Sequence, residues 1–361
     1  CYVGISQMDH FAMTKVLLQR VDAYMGTGNA HSAAAGRLSY LFGCSGPSVS
    51  IDTACSSSLV TMHAAESCMA LSSYGFAISG GVNIILAPEV TLMFHQSGML
   101  ARDGRCKTLD ESADGYVRGD ACGLVLLSRR NLDEGEESVF SGVHIVSAVV
   151  NQDGRSSSLT APSGVAQQQV LSEAVSKGRI LPSEILFTEM HGTGTPLGDP
   201  IEVNALTTVY RQTKTDDPLN LSSVKSKIGH TEAAAGVSGL FQLICEAAMH
   251  RSASFGHLKS VNPYVVPALK QSSVPREERV LNRSLAAHVS HGSVSSFAFQ
   301  GTNANVVVSM AEGPNNISTG TNPSSLFTMA FYCIGESVGP FTTSLKHGGD
   351  ATLMIEINLG A

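Results

Sequence analysis

A cysteine at position 55 stands where a strand-like stretch gives way to a helix-like one. Residues 47–53 alternate like a strand, and residues 55–71 are small and apolar around most of a helical circumference, as in a buried helix. A thiol at a helix N-terminus lies near free N–H groups and the positive end of the helix dipole, which stabilise a thiolate. Cys55 is therefore a candidate nucleophile; the alternative is a buried structural cysteine.

Two histidines also follow strand-like stretches. His191 ends the apolar run 185–190 and opens a loop whose Thr193 and Thr195 offer hydroxyls to a polar ligand. His230 follows the strand predicted at 221–225, with Lys225 earlier in the same loop. A turn with a hydrogen-bonded histidine is the alternative for His191.

One thiol and two imidazoles at strand ends suggest acyl transfer. A thiolate attacks an acyl carbonyl, and neutral imidazoles donate to or accept from a developing enolate. The spacing of Cys55, His191 and His230 along the chain does not show that they meet, so a fold must bring them together. The pattern Ser222-Ser223-Val224-Lys225 fits S-x-x-K, but it is common by chance and lacks its companion motifs.

The eight cysteines contain no C-x-x-C pair, so we expect no metal site. We interpret most of them as small buried apolar residues in a reducing compartment and expect a cytoplasmic protein. The chain begins with Cys1 rather than Met, so an organelle address on a preceding segment stays open.

Composition indicates a layered α/β protein. The chain has 361 residues, 43% hydrophobic and 15% charged, and strand-like and helix-like stretches alternate throughout. A net charge of −7 without a basic run argues against nucleic-acid binding. The chain lacks an apolar stretch near the roughly 20 residues that span a bilayer.

Further elements are predicted from local patterns. Asp199 is predicted as the N-cap of a helix that runs to about residue 211, with Glu202 in its first turn. Residues 231–250 predict a small-residue helix, and 293–299 and 304–310 predict paired strands around the turn 300–303. Residues 313–325 have a linker-like composition, and the apolar runs in 326–361 have no predicted place.

Several segments, in this order, resemble the β-ketoacyl synthases (ketosynthases) of the thiolase superfamily. The similarity covers roughly residues 1–310. The amino-acid sequences of the motifs are most similar to those of ketosynthase domains of modular type I polyketide synthases. The segments are GPSVSIDTACSSSL, GRCKTLDESADGYVRGD, VNQDGRSSSLTAPSG, EMHGTGTPLGDPIE, VKSKIGHTEAAAG and SSFAFQGTNA.

The resemblance implies a decarboxylative Claisen condensation. Cys55 would carry the acyl chain as a thioester, and His191 and His230 would promote decarboxylation of a malonyl thioester and stabilise the enolate. Lys225 would orient the second histidine. The backbone N–H groups of Cys55 and Phe299 would form the oxyanion hole, and Phe299 would gate the cavity.

The resemblance also implies the partners. Thr193 and Thr195 would hold the phosphopantetheine arm of an acyl carrier protein, which delivers the malonyl and acyl thioesters. No bound cofactor is expected, and a homodimer is expected with the strand before Cys55 near its two-fold axis.

The implied architecture is the thiolase fold, with two related α/β halves in an α-β-α-β-α sandwich. The expected units are residues 1–133, 134–311 and a linker and tail at 312–361. The family's usual first strand–helix segment is missing, which predicts a partial sequence.

Three positions depart from the family pattern. Ala298 and Gln300 stand where many members have glycine, and Asn305 where many have histidine, which puts gating in question. The main alternative is a non-elongating ketosynthase-like module that binds or passes on acyl chains or forms a scaffold dimer. A thiolase or chalcone-synthase-like enzyme using free coenzyme A is disfavoured by the HGTGT and KSKIGH motifs.

Overall fold

A computed structural model describes most of the chain. The described residues are 1–18, 22–129, 143–212, 218–249, 251–277, 279–280, 290–310, 327–333 and 353–357. The strands are β1 (Tyr2–Gly4), β2 (Val49–Ile51), β3 (Phe76–Asn83), β4 (Ala121–Arg129), β5 (Val143–Gln152), β6 (Ile185–Glu189), β7 (Leu219–Ser222), β8 (Arg251–Ser252), β9 (Ser272–Ser273), β10 (Arg279–Val280), β11 (Ser290–Phe297), β12 (Thr302–Met310), β13 (Phe327–Cys333) and β14 (Leu353–Ile357).

Helices connect these strands. They are α1 (Asp9–Leu18), α2 (Tyr24–Asn29), α3 (His31–Phe42), α4 (Ser57–Leu71), α5 (Pro88–Gln96), α6 (Gly164–Gly178), α7 (Gly198–Tyr210), α8 (Lys225–Ile228) and α9 (Ala235–Ala248). Short 3₁₀ turns lie at Ala54–Ser56, Pro182–Glu184, Glu232–Ala234 and Val266–Gln271. No helix in the described ranges combines the length and apolar character needed to cross a bilayer.

Both halves contain neighbouring parallel strands followed by one antiparallel strand, with three parallel strands in the first half and four in the second. In the first half, β2, β1 and β3 are parallel and β4 is antiparallel to β3. In the second half, β9, β7, β6 and β11 are parallel and β12 is antiparallel to β11. Strand β5 pairs with β12, and β13 lies between β4 and β5. This shared arrangement agrees with two related α/β halves.

Helices α4 and α9 lie between the two halves. Both helices contribute to one apolar core that includes side chains from strands of both halves. Along β12, Val306 and Val308 face this core, whereas Val307 faces a second core formed with α6 and α7. The alternation buries both faces of the strand, as a sheet covered by helices on both sides requires. Helix α3 contacts β1 and β2.

The observed elements refine the sequence predictions. The predicted N-cap role of Asp199 is wrong, because α7 begins at Gly198 with Leu197 at its N-cap. The division between halves expected near 133/134 and the linker at 313–325 lie outside the described residues. The unplaced tail contributes β13 and β14. The expectation that most cysteines are buried is wrong for the described part of the chain. Only Cys1 and Cys106 are buried there, whereas three others are partly exposed and Cys44 and Cys122 are exposed.

Candidate active site

Cys55 lies in the tight turn between β2 and α4. Ser57 Oγ accepts a hydrogen bond from Thr53 N–H (2.9 Å) and donates to the carbonyl of Ala54 (2.7 Å). Ala54 N–H donates to Asp52 Oδ1 at 2.9 Å, and Ala54 adopts a left-handed φ of +51°. Such a conformation is rare for alanine and persists only where neighbouring groups fix it. The hydroxyl and carboxylate side chains thus hold the turn that presents the thiol.

His230 reaches the same point from the second half. Its N–H donates to the carbonyl of Val117 (2.7 Å), and its carbonyl accepts from Gly119 N–H (2.9 Å). His230 Nε2 lies 3.0 Å from Cys55 Sγ. Glu232 N–H donates to His230 Nδ1 at 3.2 Å. Because Nδ1 is an acceptor, the proton of the neutral ring lies on Nε2, which therefore faces the sulfur as a donor.

His191 is the second imidazole at this point. Its ring centroid lies 5.5 Å from that of His230, with the planes at 86°. The sulfur of Cys55 and one nitrogen of each ring all lie within 4.8 Å of one another. His191 Nδ1 is buried and has no hydrogen-bond partner within the described part of the chain.

Two glycines and two carboxylates shape the loop after His191. Gly192 and Gly194 adopt left-handed φ angles of +45° and +77°, and a Cβ at either would collide with neighbouring atoms. The carboxylate of Glu202 accepts from the N–H groups of His191 (2.6 Å) and Gly192 (2.8 Å). Asp199 Oδ1 accepts from Gly194 N–H at 3.1 Å. Asp199 and Glu202 therefore hold the histidine loop.

The thiol and both imidazoles line a cavity of about 480 Å³. Thr193, Thr195 and Phe299 line the same cavity, and the two threonine hydroxyls lie 3.4 Å apart. Lys225 lies at the start of α8, only 3% exposed. The fold therefore gathers six of the predicted residues around one cavity. Lys225 does not line that cavity and acts on its thiol and imidazoles through its charge.

Family comparison agrees with the motifs. Residues 1–132 match the family described as "Beta-ketoacyl synthase, N-terminal domain", and residues 143–254 match "Beta-ketoacyl synthase, C-terminal domain". The chain belongs to the β-ketoacyl synthase family. It is thus a ketosynthase, an acyl-transferring condensing enzyme.

Similar proteins are polyketide synthases. A phenolphthiocerol/phthiocerol polyketide synthase polypeptide of Mycobacterium tuberculosis is 39% identical over 330 residues, covering 89% of this chain and 15% of that protein. Polyketide synthase GfsA of Streptomyces halstedii is 39% identical over 317 residues, covering 87% of this chain and 4% of that protein. The ketosynthase chain thus spans a small part of their length.

A solved structure shares the fold. The ketosynthase from module 6 of the bacillaene synthase of Bacillus subtilis 168 superposes with a TM-score of 0.77 and 32% sequence identity. The match covers 86% of this chain and 54% of that one. The predicted α/β thiolase-type fold is confirmed.

Burial controls the charge of the ketosynthase thiol. Desolvation raises the pKa of Cys55 to about 12, and the negative charge of Glu232 acts in the same direction. Lys225 and the backbone N–H groups of Cys55 and Phe299 oppose this rise in pKa. The N–H groups thus favour the thiolate, as the sequence suggested, but the effect of desolvation on the pKa is larger than theirs. The free thiol is neutral at pH 7.

Both imidazoles are also neutral. Burial lowers the pKa of His191 and His230 well below 6.5, and the positive charge of Lys225 adds to this effect. A thiol and two imidazoles are donor types that zinc binds. The nearby ammonium of Lys225, however, repels a divalent cation. The absence of a metal site stays a prediction.

The positions that depart from the family pattern lie in β12 and in the turn before it. Ala298 and Gln300 lie in the turn between β11 and β12, where the left-handed position is Gly301 (φ +95°). Side chains at 298 and 300 therefore cause no backbone strain. Asn305 is fully buried, and its Nδ2 donates to Ser293 Oγ (2.8 Å), which lies on the neighbouring strand.

Sequence reasoning missed two roles of buried carboxylates. The local pattern around Glu202 predicts only a helix start. Glu189 belongs to no predicted site, yet its Oε1 accepts from Val224 N–H (2.6 Å) and its Oε2 from Ser222 Oγ (2.7 Å). Glu189 therefore ties the strand before His191 to the loop that carries Lys225. The sequence signal that could have indicated this role is a glutamate inside the otherwise apolar run ILFTEM, because a buried glutamate is rare unless it is paired.

Proposed function

We propose that this chain is the ketosynthase domain of a modular polyketide synthase and extends an acyl chain by decarboxylative condensation with a malonyl unit. The observation that carries the proposal is the convergence of one thiol and two neutral imidazoles on one cavity, with Cys55 Sγ 3.0 Å from His230 Nε2. The similarity to polyketide synthases supports the pathway.

The first step loads the acyl chain. Cys55 sulfur attacks the carbonyl of an acyl thioester, and the carrier thiol leaves with the proton that the cysteine loses. The backbone N–H groups of Cys55 and Phe299 both oppose the rise in the pKa of the thiol, and we propose that they donate to the oxyanion. Because the pKa of the thiol is about 12, we expect its proton to be removed as the carbon–sulfur bond forms.

The second step forms the carbon–carbon bond. The malonyl carboxylate leaves as CO₂, and the bonding electrons form an enolate whose oxygen accepts hydrogen bonds from the imidazoles of His191 and His230. The enolate carbon attacks the carbonyl of the thioester on Cys55. The carbon–sulfur bond then breaks, and the Cys55 thiolate takes up a proton from water. Lys225 favours this step by keeping both imidazoles neutral.

We propose that the substrates arrive on the phosphopantetheine arm of an acyl carrier protein. The hydroxyls of Thr193 and Thr195 line the cavity and offer hydrogen bonds to the amides of that arm. Thr195 Oγ1 accepts from Gly198 N–H at 3.1 Å and keeps its own proton to donate. All reacting groups on the protein are side chains and backbone N–H groups, so we propose no bound cofactor.

We also propose a homodimer about the edge formed by β2. This strand ends the order of paired strands in the first half, so its outer edge can pair with a second copy. Exposed apolar side chains lie beside this edge: Val49 on β2, and Tyr40, Leu41 and Phe42 on α3. The two halves of each copy are proposed as residues 1–133 and 134–311.

Three variants test the reaction. Cys55→Ala is expected to abolish acyl loading, measured by mass spectrometry, while the exposed-cysteine control Cys44→Ala loads normally. His191→Ala and His230→Ala are expected to lower CO₂ release from labelled malonyl carrier protein by about 10²- to 10⁴-fold. The control His95→Ala, which replaces an exposed histidine, is expected to be unchanged. Acyl loading without CO₂ release in the unmodified enzyme would instead identify a non-elongating module.

A further inference from the structure

A buried ion pair lies beside the two-histidine site and is not used by the reaction. The guanidinium of Arg118 donates to both carboxylate oxygens of Glu232, and their side chains are 3% and 5% exposed. Arg118 also donates to Thr91 Oγ1 (2.8 Å), and Glu232 accepts from Gln7 Nε2 (3.0 Å). Desolvation of two charges offsets most of their attraction, so stability alone does not explain such a pair.

Both partners are joined to His230 through the backbone. Arg118 lies between Val117 and Gly119. The Val117 carbonyl accepts from His230 N–H (2.7 Å), and Gly119 N–H donates to the His230 carbonyl (2.9 Å). Glu232 supplies the N–H that donates to His230 Nδ1. The ion pair therefore joins the two chain segments that hold this imidazole.

Glu232 occupies a conformation that needs support. Its φ is +45°, in the left-handed region that residues other than glycine rarely enter. In this conformation its N–H points at His230 Nδ1. If the side chain lost its partners, relaxation of this strained backbone would let the 231–232 peptide, which carries that N–H, shift away from the ring. The proton could then move to Nδ1, leaving Nε2 as an acceptor toward the sulfur.

We propose that Arg118 and Glu232 are positioning residues that lock His230 in the Nε2–H tautomer, so that Nε2 faces Cys55 as a hydrogen-bond donor. The consequence for catalysis rests on the proposed function, because only a donor at Nε2 can stabilise an enolate oxygen. The tautomer itself is a property of the free enzyme.

The direct test is nitrogen NMR of the enzyme labelled at histidine. The His230 signals are identified by their loss in His230→Gln. In the unmodified chain we expect a protonated Nε2 and an unprotonated Nδ1. In Glu232→Gln we expect signals for Nδ1–H or for a mixture. The proposal is overturned if Glu232→Gln keeps His230 fully in the Nε2–H form. This readout needs no substrate, so it is independent of whether the enzyme condenses malonyl units.

A kinetic test follows from the same inference. Glu232→Gln is expected to slow malonyl decarboxylation by between about 10- and 10⁴-fold, the range seen when a histidine loses its orienting partner or changes tautomer. Acyl loading of Cys55 is expected to persist. Because Glu232 raises the pKa of Cys55, thiol modification should also shift to lower pH. Unchanged decarboxylation in a folded Glu232→Gln enzyme would overturn the catalytic consequence.

Matched variants separate positioning from stability. Glu66→Gln breaks another ion pair, with Lys177 at 2.7 Å, and is expected to leave the His230 tautomer unchanged. If Glu232→Gln does not fold because Arg118 is left unpaired, the double variant Arg118→Gln/Glu232→Gln removes both charges. The double variant is expected to show the same tautomer change, and a native His230 tautomer in it would overturn the proposal.

Discussion

The reactivity of Cys55 toward a small disulfide reagent should be low at neutral pH and should rise steeply with pH. The thiol is neutral because desolvation exceeds the effects of Lys225 and the backbone N–H groups of Cys55 and Phe299. Between pH 7 and 11, the rate of exchange should rise about tenfold per pH unit, because each unit raises the thiolate fraction tenfold.

The size of the effect follows from the pKa of about 12. At pH 7.5 the thiolate fraction is then about 3 × 10⁻⁵, against about 0.1 for an ordinary thiol of pKa about 8.5. A more basic thiolate is more nucleophilic, with a Brønsted slope of about 0.45, which restores a factor of about 40. The net expectation is a rate on the order of 100-fold slower than for the same cysteine in the urea-unfolded chain.

Mass spectrometry of the peptide that contains Cys55 measures this rate in folded and unfolded protein. Lys225→Met removes a positive charge that favours the thiolate, so it should slow the exchange further. A rate that reaches its plateau below about pH 9 would refute the argument. It would show that the helix N-terminus and N–H groups outweigh desolvation.

Three further predictions test the surrounding structure. Burial raises the pKa of Glu189 to about 8, so the folded chain keeps a proton that the unfolded chain releases, and this contribution to stability is lost between about pH 4 and 8. The unmodified chain should therefore lose stability between pH 5 and pH 8, whereas Glu189→Gln should not lose this contribution. In urea titrations, the free energy of unfolding of Glu189→Gln minus that of the unmodified chain should be more positive at pH 8 than at pH 5. An equal difference at both pH values would contradict this. Gly192→Ala should cost more unfolding free energy than Gly154→Ala, by about 1–3 kcal/mol. Both glycines have left-handed φ angles, but only at Gly192 would a Cβ meet other atoms, including Ser223 Oγ at 2.7 Å; equal melting temperatures would refute the collision. Phe299→Ala should load bulkier acyl thioesters faster, because the ring lines the cavity while the N–H is retained, and an unchanged preference for chain size would argue against gating.

The sequence by itself determined the kind of chemistry and the type of fold. A thiol and two histidines each follow a strand-like stretch, and the order of the motifs identified the family. The strands at β6, β11 and β12 were readable because local alternation and apolar runs carry that information. Residue types and short-range periodicity suffice for such inferences.

Only the tertiary structure decided how the site groups act on one another. The 3.0 Å contact between Cys55 and His230 joins residues from different halves. The raised pKa of the thiol results from desolvation together with the charges and N–H groups of several residues around it. The same holds for Glu202, whose local pattern predicted a helix start but whose carboxylate holds the backbone of His191. Desolvation and long-range hydrogen bonds depend on neighbours that are distant along the chain, so no local pattern encodes them.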